Sequence, residues 1–343
     1  MTNPDIRIGV GRCIYGLPLL VLSAFLTGCP GQSWLITPVT SRRELTETRI
    51  HRDAWPALDK VAVIDVTGII RNTRPARLLG EGEQPVSLLA EELDKARRDP
   101  LVKAVILRIN SPGGTVTASE LMHDEIRRFR KCGKPVIAVL MDVAASGGYY
   151  IACACDEIIV HRTTITGSIG VIVQMFDISG TMQLVGVKSD AITSGPRKDS
   201  GSPFRAMTPE ERALFQQVVN ELYDRFVEVV REGRPALDET QVRSLADGRI
   251  YTARQALEAG LVDRIGTWHD ALDAARQRSG AKRVRAVLYH RPLDYRPNYY
   301  AAAPTLLPTE VNLVGLNVGQ ALESAAPEFL YLWQPGVFNV AQP

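Results

Sequence analysis

The chain has 343 residues, of which 45% are hydrophobic and 23% charged, and 40 basic against 38 acidic residues give a formal net charge of +2. This is globular composition, sufficient for one large domain or two small ones, and it excludes a disordered or fibrous chain. The near balance of charge leaves no electrostatic footprint for gripping phosphate backbones, so nucleic acid is not an expected partner.

Arg7 and Arg12 precede a run from Ile14 to Gly28 that holds no charged residue and ends in Leu26-Thr27-Gly28-Cys29. A spanning helix needs roughly 20 apolar residues and a signal peptide core about 7–15, so the run has the length of a signal peptide. Its ending looks like a bacterial lipobox. On that reading residues 1–28 are a lipoprotein signal peptide, and Cys29 becomes the lipidated first residue. The other reading is a short or interfacial anchor with a chance cysteine. Both place the remainder outside the cytoplasm, in the cell envelope, and hold it at a membrane. From Pro30 to Trp55 Pro, Thr, Ser and Arg mix without periodicity, so residues 29–57 are expected to be a spacer.

VAVIDVTG (61–68) predicts a strand stopped by glycine, and VSLLAEELDKARRD (86–99) has apolar residues at helical spacing before Pro100. The unit recurs: VKAVILRIN (102–110) leads through NSPGGTV to a helix over 119–133 that Gly133 can close. KPVIAVLMDV (134–143) then runs into AASGGYYIACA. Cys153 and Cys155, in that apolar stretch, are expected to be small buried hydrophobes. With Cys132 they form an odd set in the mature chain, which argues against a disulfide framework, and no Cys-x-x-Cys pair suggests zinc. Strands alternating with crossover helices, in near-continuous apolar runs, imply an α/β fold with a parallel sheet buried on both faces.

DEIIV (156–160), TITGSIGVIVQ (164–174) and the Gly/Ser-rich ITSGPRKDSGSP (192–203) follow. Thr208-Pro209-Glu210-Glu211 then opens a long helix, with a capping residue, proline at the first helical position and acids in the first turn. ARQALEAGLVDRIG (253–266) predicts a helix closed by Gly260 and a short strand. Beyond Gly280 the pattern weakens. FLYLWQPG (329–336) is apolar enough to dock, into the core or against another copy or a membrane.

Three glycine turns follow predicted strands: Ser111-Pro112-Gly113-Gly114, Ala145-Ser146-Gly147-Gly148 and Thr166-Gly167-Ser168-Ile169-Gly170. Paired glycines expose amide donors that a Cβ would obstruct, and two such turns side by side are the raw material of an oxyanion hole. Ser146, at a strand end and heading a helix, has the placement of a nucleophile. It needs a base. His51, His123, His161, His269 and His290 all lack a turn-like catalytic setting. Lys198, among small residues, is the plausible alternative, provided its amine is stripped of water until neutral. A solvated loop lysine is the bland reading. The chain has no G-x-S-x-G elbow, H-E-x-x-H or phosphate-binding loop, and its S-x-x-K match, Ser279 with Lys282, lies in a basic turn.

NSPGG, AASGGYY, TGSIGV and SGPRKDSGSPFRAMTPEE, in that order, resemble the core of signal peptide peptidase A, the serine–lysine peptidases of family S49 in the ClpP/crotonase superfamily. The resemblance covers residues 58–280, which it marks as the peptidase domain, and leaves 281–343 as an extension without counterpart. It implies a spiral of repeated ββα units, with Ser146 as nucleophile and Lys198 as general base. It further implies that Ser168 orients Lys198 and that the amides of Gly114 and Gly147 form the oxyanion hole. Ring- or dome-shaped homo-oligomers, some with sites completed by a neighbouring subunit, are implied too, as are signal-peptide substrates and pockets for small, apolar side chains. No metal, nucleotide or other cofactor is required. The competing readings are a ClpP-like peptidase with a histidine base, a crotonase-type acyl-CoA enzyme and a non-catalytic membrane scaffold.

Overall fold

The computed structural model describes residues 44–73, 76–77, 80–81, 83–291 and 328–333. Cys29 and the lipobox lie outside the described residues. β1 (Thr46–Arg52) and β2 (Asp59–Thr67) come first, then the short pair β3 (Ala76–Arg77) and β4 (Gly80–Glu81) and helix α1 (Pro85–Arg98). The central units are β5 (Val102–Ser111), β6 (Gly113–Thr115), α2 (Val116–Arg130), β7 (Val136–Ala145), α3 (Gly147–Ala152) and β8 (Glu157–Val160). After them come β9 (Ile165–Gly167), β10 (Ile172–Gln174), α4 (Ser179–Leu184), α5 (Pro209–Gly233) and α6 (Glu239–Leu245). β11 (Ile250–Thr252), α7 (Ala253–Glu258), β12 (Arg264–Ile265), α8 (Trp268–Ser279), β13 (Val284–His290) and β14 (Glu328–Leu332) complete the order.

The main sheet runs β1-β13-β2-β5-β7-β8-β12, with β9 continuing alongside the end of β7 and β11 pairing with β9. All pairs from β13 to β12 are parallel, as is β7 with β9, while β1 with β13 and β9 with β11 are antiparallel. Successive side chains of a strand point to opposite faces, and here both faces are dry. Val61, Val63, Ala104, Ile106, Ile137 and Val139 pack with Trp268, Ala271 and Leu272 of α8 on one face. Ala62, Ile64, Val105, Leu107, Ala138 and Leu140 pack on the other with Leu89 and Leu93 of α1, Met122 and Ile126 of α2, and α3. This double burial explains the unbroken apolar runs.

Cap chemistry sets the helices as expected. Thr208 and Glu211 form a capping box at α5, with Pro209 at the first turn, and Thr115 accepts from the Ala118 amide to begin α2. Gly260, with φ 72°, follows α7. Two boundaries differ from the expectation. The presumed spacer contains β1, whose TETRIHR is largely exposed and has no apolar run to announce it. The extension beyond 280 contains β13, a buried member of the main sheet, and β14, the middle strand of a second sheet in the order β10-β14-β6.

On the central strands Asp65 stands opposite Arg108, whose Nε and Nη2 donate to its carboxylate at 2.6 and 2.7 Å. Both side chains are nearly closed to solvent. Removing one member of such a pair strands the other charge, at a cost of about 3–5 kcal/mol. Arg108→Ala is expected to lower stability by about 3 kcal/mol in denaturant melts, and Asp65→Leu with Arg108→Met to recover most of that loss.

Candidate active site

β7 ends at Ala145, and the next residue, Ser146, turns the chain into α3 with φ 51° and ψ −116°. Ser168 does the same at the end of β9, with φ 49°, and among the described residues these two are the non-glycine residues with positive φ. Such a conformation costs on the order of 1–3 kcal/mol and persists only where surrounding structure imposes it. The imposing bonds are visible. Ser146 N–H donates to Gly167 O at 2.7 Å, and Ser168 N–H donates to Arg249 O at 2.7 Å. Because Ala145 pairs with Gly167 in the parallel ladder, the two serines leave adjacent strand ends together. Ser146 is 1% exposed, and its hydroxyl makes no capping bond to α3.

Two glycine turns meet beside it. A Cβ on Gly147 would lie 2.4 Å from Ser119 Oγ and 3.1 Å from both Gly113 Cα and Gly114 N. On Gly114 it would lie 1.8 Å from Ile70 O, and on Gly148 2.6 Å from Ser111 O. Backbone therefore touches backbone where the sequence placed amide donors. Gly147 is the first residue of α3, so its N–H is one of the donors that a helix start leaves unpaired.

Lys198 is placed differently from the other expected residues. It is exposed on the loop between α4 and α5, and among the described residues it shares no hydrogen bond with Ser146 or Ser168. What anchors that loop was not read from the sequence. Arg205 donates to both oxygens of Asp199, at 2.8 and 2.9 Å, and to Glu211 at 2.9 Å. The Arg205 guanidinium, helped by the Thr208 amide, holds the Glu211 carboxyl at about 2, against an ordinary 4.5.

None of the histidines is bonded to Ser146. His51 meets Asp53, His161 meets Thr163 and His290 meets Thr46 and Thr48. His123 is buried edge-on to Tyr150 at 5.3 Å, with Nδ1 unpartnered, and burial lowers its pKa. Beside it the Tyr150 hydroxyl donates to Glu120, which also receives Arg225 Nη2 at 2.7 Å. Burial opposes the Glu120 carboxylate, and the Arg225 and Tyr150 bonds outweigh it, leaving its pKa lowered. Glu120, His123 and Asp124 bring ligand atoms within 4.8 Å of one another, but the Arg225 charge on Glu120 opposes a metal cation there. Cys153 and Cys155 are buried free thiols as expected, and burial pushes Cys153 up to about 12, which makes it inert.

Residues 128–282, which hold Ser146, Ser168 and Lys198, match peptidase family S49. A putative signal peptide peptidase SppA of Enterococcus faecium is 38% identical over 68% of this chain and 67% of its own. A putative protease of Synechocystis is 39% identical over 63% of this chain and 75% of its own. The chain belongs to peptidase family S49. Protease 4 of Haemophilus influenzae, 37% identical over 71% of this chain, is matched over 38% of its length. The S49 assignment makes the protein a serine peptidase and the α/β body a ClpP/crotonase-like fold. Its glycine turns and its strained serines are features of one peptidase face.

The depressed pKa of Glu211 gives its ion pair a pH window. Its contribution is complete above about pH 4.5 and fades as pH falls toward 2. Amide exchange across residues 199–211 is expected to rise in that interval in the native chain and already at pH 7 in Arg205→Ala. Unchanged exchange in the variant would mean the ion pairs do not hold the loop.

Proposed function

We propose that this S49 peptidase hydrolyses peptide bonds through a dyad in which Ser146 attacks and Lys198 is the base, and that its substrates are cleaved signal peptides or other membrane-associated peptides. The observation that carries this reading is the strained, buried Ser146 turn set against two glycine turns. In it, neutral Lys198 takes the Ser146 proton, the alkoxide attacks the carbonyl, and the amides of Gly114 and Gly147 hold the oxyanion until the acyl-enzyme forms. Water then releases the product. Ser168, beside Ser146 on the neighbouring strand end, orients the lysine. The name of the E. faecium relative supports the signal-peptide substrate. Lipidation of Cys29 would anchor the enzyme in the bacterial envelope with its catalytic domain outside the cytoplasm; none of the described helices is long and apolar enough to cross a membrane.

A homo-oligomer belongs to this reading. Lys198 is exposed, so the dehydration that a neutral amine needs must come from elsewhere. The segment leading to it carries Leu184, Val185, Val187 and Ile192 in the open, Leu184 at 88% exposure. Apolar surface of that kind marks a contact with another molecule, here a second copy that brings Lys198 of one protomer to Ser146 of the next.

Purified Ser146→Ala and Lys198→Ala chains are each expected to lose peptide cleavage by at least a hundredfold while keeping their fold. Mixing the two variants should restore part of it, since some sites then combine an intact serine with an intact lysine. Full cleavage by either variant alone ends the dyad assignment, and absent complementation ends the shared site. Activity should also climb between about pH 5 and 9, because only an uncharged amine accepts the proton. Cys29→Ser should leave the enzyme unlipidated in the soluble envelope fraction.

A further inference from the structure

β14 runs antiparallel between two strands of the candidate site. On one side Leu330, Tyr331 and Leu332 pair with Thr115, Gly114 and Gly113 of β6, and on the other Glu328, Phe329 and Leu330 pair with Gln174, Val173 and Ile172 of β10. Trp333 N–H donates to Pro112 O at 2.8 Å, which fixes the alternation of the ladder. Two residues along, Gly114 and Tyr331 are then the pair that exchanges backbone hydrogen bonds. The amide of Gly114 therefore meets the Tyr331 carbonyl. That carbonyl also lies beside the amide after Ser146: the position of a Cβ on Gly113 is 1.9 Å from Tyr331 O and 2.7 Å from Gly147 N.

The Tyr331 side chain fills a pocket under the turn. It is fully buried, stacks on Tyr150 at 5.0 Å, meets Phe226 at 4.7 Å, and its hydroxyl donates to Leu222 O at 2.7 Å. Phe329, two residues earlier, is 6.3 Å from Phe215, beside an open groove of about 640 Å³ lined by Met175, Phe176, Met207 and Val219. Main-chain pairing on both sides, with a pocket for alternate side chains, is how a sheet takes up an extended peptide.

We propose that the cleft between β6 and β10 is a peptide-strand site with a pocket for a large aromatic side chain, and that residues 328–333 are its resident occupant, an internal competitor for substrate. The inference rests on the peptidase reading above for its catalytic consequence. While Tyr331 holds the Gly114 amide, that donor is not offered to a substrate carbonyl, so the strand must leave before Gly114 can serve an oxyanion.

The experiment uses full-length protein carrying Ser146→Ala, so that peptide is bound and not cut, and a dye-labelled hexapeptide Glu-Phe-Leu-Tyr-Leu-Trp followed by anisotropy. Adding Trp333→Pro, which removes the bond to Pro112, or Tyr331→Ala, which empties the pocket, should tighten peptide binding at least tenfold. A hexapeptide with alanine for tyrosine should gain nothing. In chains that keep Ser146, the same two substitutions should lower KM for an added aromatic peptide severalfold with kcat unchanged. Binding no tighter in variants with native circular dichroism overturns the proposal, as does loss of fold in Trp333→Pro, since a strand the fold requires is not an occupant. Anisotropy needs no turnover, so tight binding without cleavage in the Ser146 chains would count against the dyad and leave the groove standing.

Discussion

Backbone packed against backbone, closer than any side chain would permit, is the constraint on which this peptidase face depends. The turns at Gly113–Gly114 and Gly147–Gly148 interlock with Ile70 and Ser111 at distances that leave no volume for a single added carbon. That closeness presses two rows of amides together and forces Ser146 into a conformation that non-glycine residues avoid. The strain at Ser146 and Ser168 is sustained by the parallel ladder of β7 and β9 and by the bond to Arg249 beyond it. Rigid sheet and dry helices behind the turns thus supply what a loop alone cannot: fixed donors and a fixed hydroxyl in a low-dielectric corner.

Much of this was legible in the residues. Near-continuous apolar runs announced strands buried on both faces, because period-two alternation disappears when neither face is wet. Thr208-Pro209-Glu210-Glu211 announced α5 through local capping chemistry that needs no tertiary information. The glycine pairs announced the donor turns. What could not be read depended on long-range pairing: β1 is a polar heptapeptide that becomes a strand through its partner β13, some 240 residues away in the chain. The strain at Ser146 was equally silent, since its turn lacks the usual G-x-S-x-G spelling and draws its shape from Gly167 on the next strand.

Charge behind the site follows a consistent logic. Glu120 is buried against Tyr150 and compensated by Arg225, and Glu211 is buried at the start of α5 and compensated by Arg205. Each carboxylate ties a helix to a neighbouring element, so electrostatics here fasten secondary structure and leave the chemistry to the hydroxyl, the proposed amine and the backbone amides. The buried thiols of α3's exit, with Cys153 pushed up to about 12, likewise take no part.

The rims of the main sheet carry a further implication. One rim is β1, whose Glu47, Arg49 and Arg52 are charged, and the other is β12, only two residues long. Neither offers a long, flat, apolar template, which is how natural sheets avoid growing by hydrogen bonding to one another. Copies of this protein are thereby steered away from open-ended fibrillar stacking, and whatever quaternary geometry they adopt must be written in side-chain surfaces, where closure and stoichiometry can be specified.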